Sequence, residues 1–373
     1  MADVMDETAG HGFAGERAAI DVQRLLAVLH GARRLVVFTH DNPDPDAIAS
    51  AWLLAHVAEH AGLRTRIVYG GRLGRAENRM MVRLLRIPLR HIESRIVRRL
   101  RSDRHALVDT QPGTGNNSYC AEHRCDIVID HHPARRTTSA DFVDIRPGEG
   151  CTATMLLGYF EACGLVLEPR LATAVAYAIV SETQDLKREA TRADKEALHR
   201  VLLRARLTDL GRIRHPVRSR DYYVTIARAL RRVMLARNVC VCHIGTVGTA
   251  EVVAEVADLL AAMERISWCL VTGWHEGVVA VSLRSAKVHA RAERVMRALL
   301  GRSGKGGGHG MIAGGSHACP DPDQYPALAA TLSRRFLERV APETTGHLHP
   351  LLPGMPEAST CEPVPDAGED SLV

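Results

Sequence analysis

The chain has 373 residues, room for two domains at about 150 residues each, and its 46% apolar and 24% charged content is that of a globular protein with a sizeable core. Its longest apolar run, Leu171 to Val180, is about half of the roughly 20 residues a transmembrane helix needs, so no membrane partner is expected. A net charge of +5 demands no nucleic-acid partner, 4% aromatic content is too low for stacking platforms along a long single strand, and nine scattered cysteines without a CxxC read as reduced thiols of a cytoplasmic protein.

Residues 1–16 read as a flexible lead-in, acidic and without the apolar segment of a secretory signal. A helix pattern covers residues 20–31. Leu35 to Phe38 is a short apolar strand that runs into Thr39-His40-Asp41-Asn42-Pro43-Asp44-Pro45-Asp46, a loop fixed by two prolines. Ala47 to His60 follows as a helix, and further strands are predicted at Arg66 to Tyr69, Ala106 to Asp109 and Asp126 to Asp130. Strands alternating with helices imply an α/β fold with a doubly wound, mostly parallel sheet, here over residues 17–187. Residues 151–186 read as mainly helical, and 188–237, with helical patterns and no strand signal, as a helical connector. A smaller second α/β domain is predicted over 238–341. Its strands run from Val239 to Val247, Trp268 to Gly273 and Val278 to Leu283, with a helix from Ala250 to Met263. Residues 342–373 carry six of the 17 prolines and read as a disordered tail.

Chemistry-bearing residues collect at strand ends, the edge where open α/β sheets bind ligands. The first cluster is His40, Asp44 and Asp46, an imidazole and two carboxylates at spacings that suit divalent metals; taken alone, Asp46 reads equally well as a helix N-cap. Asp109 ends another strand and by itself reads as a turn residue. Asp130-His131-His132 follows a very apolar strand, where packing gives no reason for two histidines; metal ligation by one imidazole, orientation by the Asp and phosphate contact by the other is the natural assignment. Parallel strands would bring seven such ligands together, as a two-metal phosphoryl-transfer site requires.

Gly304-Lys305-Gly306-Gly307-Gly308-His309-Gly310, followed by Ala313-Gly314-Gly315-Ser316, reads as an anion-binding glycine loop, with His309 arguing against a simple linker. It is no Walker A loop, because Gly306 follows Lys305. Arg284, at the end of Ser282-Leu283-Arg284-Ser285, offers a bidentate phosphate contact. With 44 arginines against four lysines, a bias that suits a GC-rich genome, Arg284 alone carries little weight.

In order, these motifs resemble those of the DHH phosphoesterase superfamily. HDNPDPDAIAS (40–50) is similar to the first motif and Asp109 in LVDTQP to the second; Asp130-His131-His132 is similar to the motif that names the family. VSLRS (281–285) and GGGHGMIAGG (306–315) look like the DHH-associated C-terminal domain. The resemblance covers roughly residues 20–340. It implies a catalytic domain and a smaller substrate-binding domain with the active site in the cleft between them, and two divalent cations, Mn²⁺ first, with Mg²⁺ or Co²⁺ as alternatives. His40, Asp44 and Asp109 would bind one cation; Asp46, Asp109 and His131 would bind the second, with Asp109 bridging. Asp130 would orient a ligand, and His132 would touch the scissile phosphate or leaving group. Arg284, Ser285, Gly306, Gly307, Gly308, His309, Gly314 and Gly315 would hold the substrate's phosphate and terminal nucleotide. One motif departs: where the family usually reads Asp-Thr-Gly, this chain has Glu182-Thr183-Gln184. Glu182 is expected to complete the second metal site through its longer arm, with Asp185 as a substitute, and Gln184 to narrow the pocket.

Size and domain plan look most like the nanoRNase and pAp-phosphatase type. That implies hydrolysis of short oligoribonucleotides or of 3′-phosphoadenosine 5′-phosphate (pAp), with a bridging hydroxide attacking the terminal phosphorus. The alternatives are a phosphodiesterase for linear dinucleotides from cyclic-dinucleotide turnover and a non-catalytic nucleotide-binding regulator, which Glu182 keeps open. Length, aromatic content and charge disfavour a 5′ exonuclease, GGGHGMIAGG does not favour a pyrophosphatase, and a basic surface module for long nucleic acid is weaker still. A homodimer is expected by analogy.

Overall fold

The computed structural model describes residues 21–92, 103–120, 122–187, 190–287, 289–344 and 348–353; the predicted lead-in, most of the predicted tail and the His309 side chain lie outside the described parts. The chain divides into two units, 1–217 and 218–373.

In the first unit a helix over residues 21–29 (α1) precedes β1 (Arg34–Phe38), α2 (Pro45–His60), β2 (Arg64–Tyr69), α3 (Ala76–Leu85), β3 (Leu89–His91), β4 (Asp103–Val108), β5 (Ile127–Asp130) and β6 (Phe142–Ile145). Then come α4 (Thr152–Ala162), α5 (Pro169–Glu182), α6 (Arg192–Leu202) and α7 (Leu207–Arg214). The six strands form one parallel sheet in the order β3-β2-β1-β4-β5-β6. The order reverses between β1 and β4, and a crevice at the carboxyl ends of two such strands is where doubly wound sheets place a ligand.

Side chains alternate across the sheet. Leu35, Val37, Val108 and Ile129 face the helices, whereas Val36, Phe38, Leu107 and Val128 face Tyr119 and Cys125 of the β4–β5 connection. Both faces are therefore dry, which explains the unbroken apolar runs in β1 and β5. Helix α2 is buried along 13 of its 16 residues, so it has no polar stripe. Asp44 caps it by accepting from the Ala47 N–H at 3.0 Å, and Pro45 suits the first turn. No described helix is long and apolar enough to cross a membrane.

The second unit contains α8 (Arg220–Arg231), β7 (Val233–Ala236), β8 (Val239–Thr246), α9 (Glu251–Ala261), β9 (Trp268–His275), β10 (Val278–Ser285), α10 (Ala292–Leu300), β11 (Gly304–His309), β12 (Ile312–Ala318), α11 (Tyr325–Val340) and β13 (His349–Pro350). Its sheet has the order β11-β12-β10-β9-β8-β7-β13, with β8 and β9 parallel and the other pairs antiparallel. Helices α10 and α11 cover one face, where Leu270, Val281 and Leu283 meet Met296 and Phe336. Helices α8 and α9 cover the other, where Cys240, Cys242 and Cys269 meet Ala229 and Val256.

Four sequence expectations change. The 188–237 segment is no separate connector: Ala197, Val201 and Ile213 of α6 and α7 pack into the first core, while Ala229 and Val233 join the second. That segment also holds a strand, β7, too short to show a period. The predicted tail is ordered in part, since His349–Pro350 pairs with β7 and proline is tolerated on an edge strand. The glycine-rich stretch is not a loop. Gly304–His309 pairs with Ile312–Ala318 as a hairpin, because α10 lies so close that a Cβ on Gly304, Gly306 or Gly315 would run into Leu300.

Candidate active site

The ends of β1, β4 and β5 bring His40, Asp44, Asp46, Asp109 and the Asp130-His131-His132 run together. His40 uses Nδ1 on the Asp41 carbonyl at 2.9 Å, which turns its Nε2 to Asp44 Oδ2 at 3.7 Å and Asp109 Oδ2 at 3.6 Å. His131 uses Nδ1 on the Glu149 carbonyl at 3.2 Å, which turns its Nε2 to Asp109 Oδ1 at 3.5 Å and Asp46 Oδ2 at 3.9 Å. A carbonyl only accepts, so each Nδ1 carries the proton and each Nε2 is the nitrogen left available to a metal. Asp109, only 2% exposed, stands between the two imidazoles with one oxygen toward each. Its φ of +58°, in the left-handed region, turns the chain sharply at the end of β4.

Helix α4 supplies the support. The Asp46 carboxylate accepts from the backbone N–H groups of Thr152 at 2.8 Å and Ala153 at 2.7 Å, from the Cys151 thiol at 3.1 Å and from the Ser50 hydroxyl at 3.2 Å. It thus occupies the positive end of a helix whose first N–H groups have no partner of their own. The Thr152 hydroxyl donates to Asp109 Oδ1 at 2.9 Å. On the other side, Asp130 Oδ1 accepts from His132 Nδ1 at 2.9 Å and from the His132 N–H at 3.0 Å. Gln111 donates to Asp130 Oδ2 at 2.7 Å and is itself fixed by the Arg135 N–H and the Thr138 hydroxyl.

The electrostatics are those of a site built around positive charge. Burial, with Asp46 and Asp44 beside it, pushes the Asp109 carboxyl well above its ordinary range, and burial raises Asp46 too. Burial alone would lower His40, but the pull of Asp44 and Asp109 lifts it to about 10. His131 and His132 are raised in the same way, against their own burial, the first mainly by Asp109 and the second mainly by Asp130. Burial would raise Asp44 also, yet its interaction with His40 holds it below the usual carboxylate range. Protons therefore stand where a cation would relieve the same crowding. Two groups of donor atoms, His40–Asp44–Asp109 and Asp109–His131–His132, each lie within 4.8 Å of one another and share Asp109. Imidazole nitrogen mixed with carboxylate oxygen suits a divalent cation. Burial beside Asp46 pushes the Cys151 thiol up, and Cys151 belongs to neither donor group.

The remaining predicted residues are placed less centrally. Glu182 ends α5, and its charge reaches both His131 and His132, but it belongs to neither donor group. Asp185, named as its substitute, also belongs to neither donor group and pairs with Arg214 at 2.7 Å. Gln184 is exposed in a left-handed turn with Asp185 and Leu186. In the second unit Arg284 is buried, donating from Nε to Asp258 at 2.5 Å and from Nη1 to the Ser282 hydroxyl at 2.8 Å. The Ser285 hydroxyl donates to the Ser267 carbonyl at 3.0 Å and accepts from the Lys287 N–H at 3.1 Å, a turn-forming role. Gly306, Gly308 and Gly315 are required by close packing, whereas a Cβ on Gly307 or Gly314 would meet open space. Thr152 and Gln111 are absent from the sequence reading because a threonine and a glutamine carry no metal-ligand signature. The available signals were a glutamine two residues after Asp109 and a helix start directly after a Gly-Cys pair.

A model of the DHH family N-terminal domain matches residues 34–179, and one of the DHHA1 domain matches residues 236–338. Uncharacterized protein MJ1633 of Methanocaldococcus jannaschii is 32% identical over 283 residues, 75% of this chain, and the chain spans 57% of that relative's length. A probable manganese-dependent inorganic pyrophosphatase of Enterococcus faecalis is 28% identical over 242 residues, 62% of this chain and 77% of its own. Among solved structures, an exopolyphosphatase-related protein from Bacteroides fragilis superposes with a TM-score of 0.64 at 13% identity, covering 87% of this chain and 98% of the other, a likeness of fold.

Proposed function

We propose that this chain, which belongs to the DHH phosphoesterase superfamily, hydrolyses terminal phosphoester bonds of short oligoribonucleotides or of pAp with two divalent cations, Mn²⁺ before Mg²⁺ or Co²⁺. The observation that carries the reading is Asp109, buried between His40 Nε2 at 3.6 Å and His131 Nε2 at 3.5 Å, one oxygen toward each. A carboxylate so placed serves two donor sets at once. His40, Asp44 and Asp109 would hold one cation, and Asp46, Asp109 and His131 the other, with Glu182 as a further arm. When bound, the cations would neutralise phosphoryl charge and lower the pKa of an attacking water.

The chain's own residues do the rest. His132 donates its Nδ1–H to Asp130 Oδ1, which leaves Nε2 of a side chain that is 39% exposed for the substrate. The Asp130 carboxylate beside it raises the His132 pKa, which suits the imidazole to donate to the leaving oxygen. In the second unit Ser282 pairs with Gly314, and Gly314 with Gly307, so bare backbone lies on the face that Arg284 shares. A nucleotide phosphate can approach that backbone closely, and Asp258 holds the Arg284 guanidinium in a fixed orientation.

The test is incubation of purified protein with Mn²⁺ and a panel of pAp, di- to pentanucleotide RNA, linear dinucleotides, pyrophosphate and long single-stranded RNA. An Asp130→Ala, His131→Ala double variant is the blank. Turnover of pAp or short RNA that vanishes in the blank is the expected result. Hydrolysis of pyrophosphate alone would favour a second reading, for which the Enterococcus faecalis relative speaks. Tight binding of an intact nucleotide with saturating Mn²⁺ would make the protein a nucleotide-binding regulator.

A further inference from the structure

The second unit carries a cavity that the proposed reaction leaves unused. It lies at the start of β9, has a volume of about 430 Å³, and is floored by Trp268 and Val295, which are 5% and 7% exposed. Lys287, Arg291, Arg294 and Arg339 stand round it, with His289 beside them, and among the described residues no carboxylate lines it. In a chain with 44 arginines a basic surface means little by itself. What singles out these four is their gathering round one concave surface with an apolar floor, where among the described residues none has an acidic partner within 4.0 Å. Four like charges gathered round a concave, partly apolar surface repel one another unless an anion sits among them.

The cavity is separate from the face that bears Arg284 and the open glycines. Trp268, Leu270 and Leu283 belong to the core under α10 and α11, whereas Arg284 reaches Asp258 on α9, across the sheet. We infer that the cavity is a second binding site, one that takes a phosphate-bearing mononucleotide. Arg291, Arg294 and Arg339 would meet the phosphate, since guanidinium groups match its oxygens two at a time. The apolar floor of Trp268 and Val295 would take the base, as aromatic side chains do. The volume falls within the range of small-molecule sites, and a mononucleotide fits that range.

The experiment is isothermal titration of the full-length protein in chelator, which stops turnover, with AMP, adenosine and inorganic phosphate as separate probes. Three proteins are compared: wild type, Arg294→Gln/Arg339→Gln, and a control with the same charge loss elsewhere in the unit, Arg231→Gln/Arg302→Gln, all checked for equal unfolding midpoints. The expected result is that wild type and control bind one more equivalent of AMP than the cavity variant, or bind it about tenfold or more tightly. AMP should also bind more tightly than either phosphate or adenosine alone. An AMP isotherm of the cavity variant equal to that of the control overturns the site. Phosphate binding as tight as that of AMP overturns its assignment to a nucleotide. Neither result depends on catalytic activity, so both are distinct from a failure of the proposed reaction.

Discussion

Thr152 donates its hydroxyl to Asp109 Oδ1 at 2.9 Å while its backbone N–H holds Asp46 Oδ2 at 2.8 Å, so one residue steadies two carboxylates of the site. Thr152→Val keeps the shape and the backbone N–H and removes only the hydroxyl. Supporting hydrogen bonds of this kind are worth about 10–100-fold in metal affinity, so calorimetric titration with Mn²⁺ should show a loss of that order. Thr152→Ser should restore the affinity; an unchanged affinity in the valine variant would mean that Asp109 needs no such support. His132 makes the complementary case. Its Nδ1 is 2.9 Å from Asp130 Oδ1 and 3.6 Å from Asp109 Oδ1, so geometry alone permits it to be a proton donor or a ligand. As a donor it should cost roughly 10²–10⁴-fold in kcat on replacement by Gln, with Mn²⁺ affinity kept. Equal losses of affinity and rate would make it a ligand. Residues of this second kind were legible in the sequence, because an imidazole or carboxylate behind a buried strand has no packing reason to be there. Thr152 and Gln111 were not, because they act through a hydrogen bond to a ligand and their residue types are common everywhere.

At the scale of elements, strands buried on both faces announced themselves: β1 and β5 read as unbroken apolar runs because helices lie on one side and Tyr119 on the other. β3, with the sequence LRH, and β7 have three and four residues, too few for a period, and stand in their sheets through pairing alone. The β11–β12 hairpin shows tertiary packing overruling local propensity, since glycine runs ordinarily mark turns. Here the run is shaped by α10. A Cβ on Gly306 would collide with Leu300 and Met296, whereas one on Gly307 would meet nothing. Gly306→Ala should therefore lower the stability of the unit by about 1–3 kcal/mol, the usual cost of overpacking. Gly307→Ala should leave the urea midpoint close to that of the wild type and raise KM for a nucleotide substrate. Equal midpoints for the two variants would show that α10 yields, and that close packing is not why glycine stands at 306.

At the scale of the whole molecule, the two units should answer to different solution chemistry. The first carries the crowded carboxylates and should gain stability from cations: about 2.7 kcal/mol at a Mn²⁺ concentration of 100 times Kd. Hydrogen exchange should show that gain in β1, β4, β5 and α4, and chelator should reverse it. Protection that rises equally in β8 to β10 would contradict a metal site confined to the first unit. The second unit should answer to pH through His243, which links three elements: Nδ1 meets Thr272 Oγ1 at 2.7 Å and Nε2 meets Ser333 Oγ at 2.6 Å, joining β8 to β9 and α11. Burial lowers its pKa from 6.5 to about 4. Between those values the unfolded chain binds a proton that the folded chain refuses, so stability is complete above pH 6.5 and declines as pH falls toward 4. A shift of that size corresponds to about 3 kcal/mol. His243→Gln keeps one donor and one acceptor and cannot titrate. Urea unfolding at pH 7, 5.5 and 4.5, followed in β8 to β10 by hydrogen exchange, should show a steep acid loss in the wild type and a shallower one in the variant. Parallel pH profiles would place the acid sensitivity of this unit on a group other than His243.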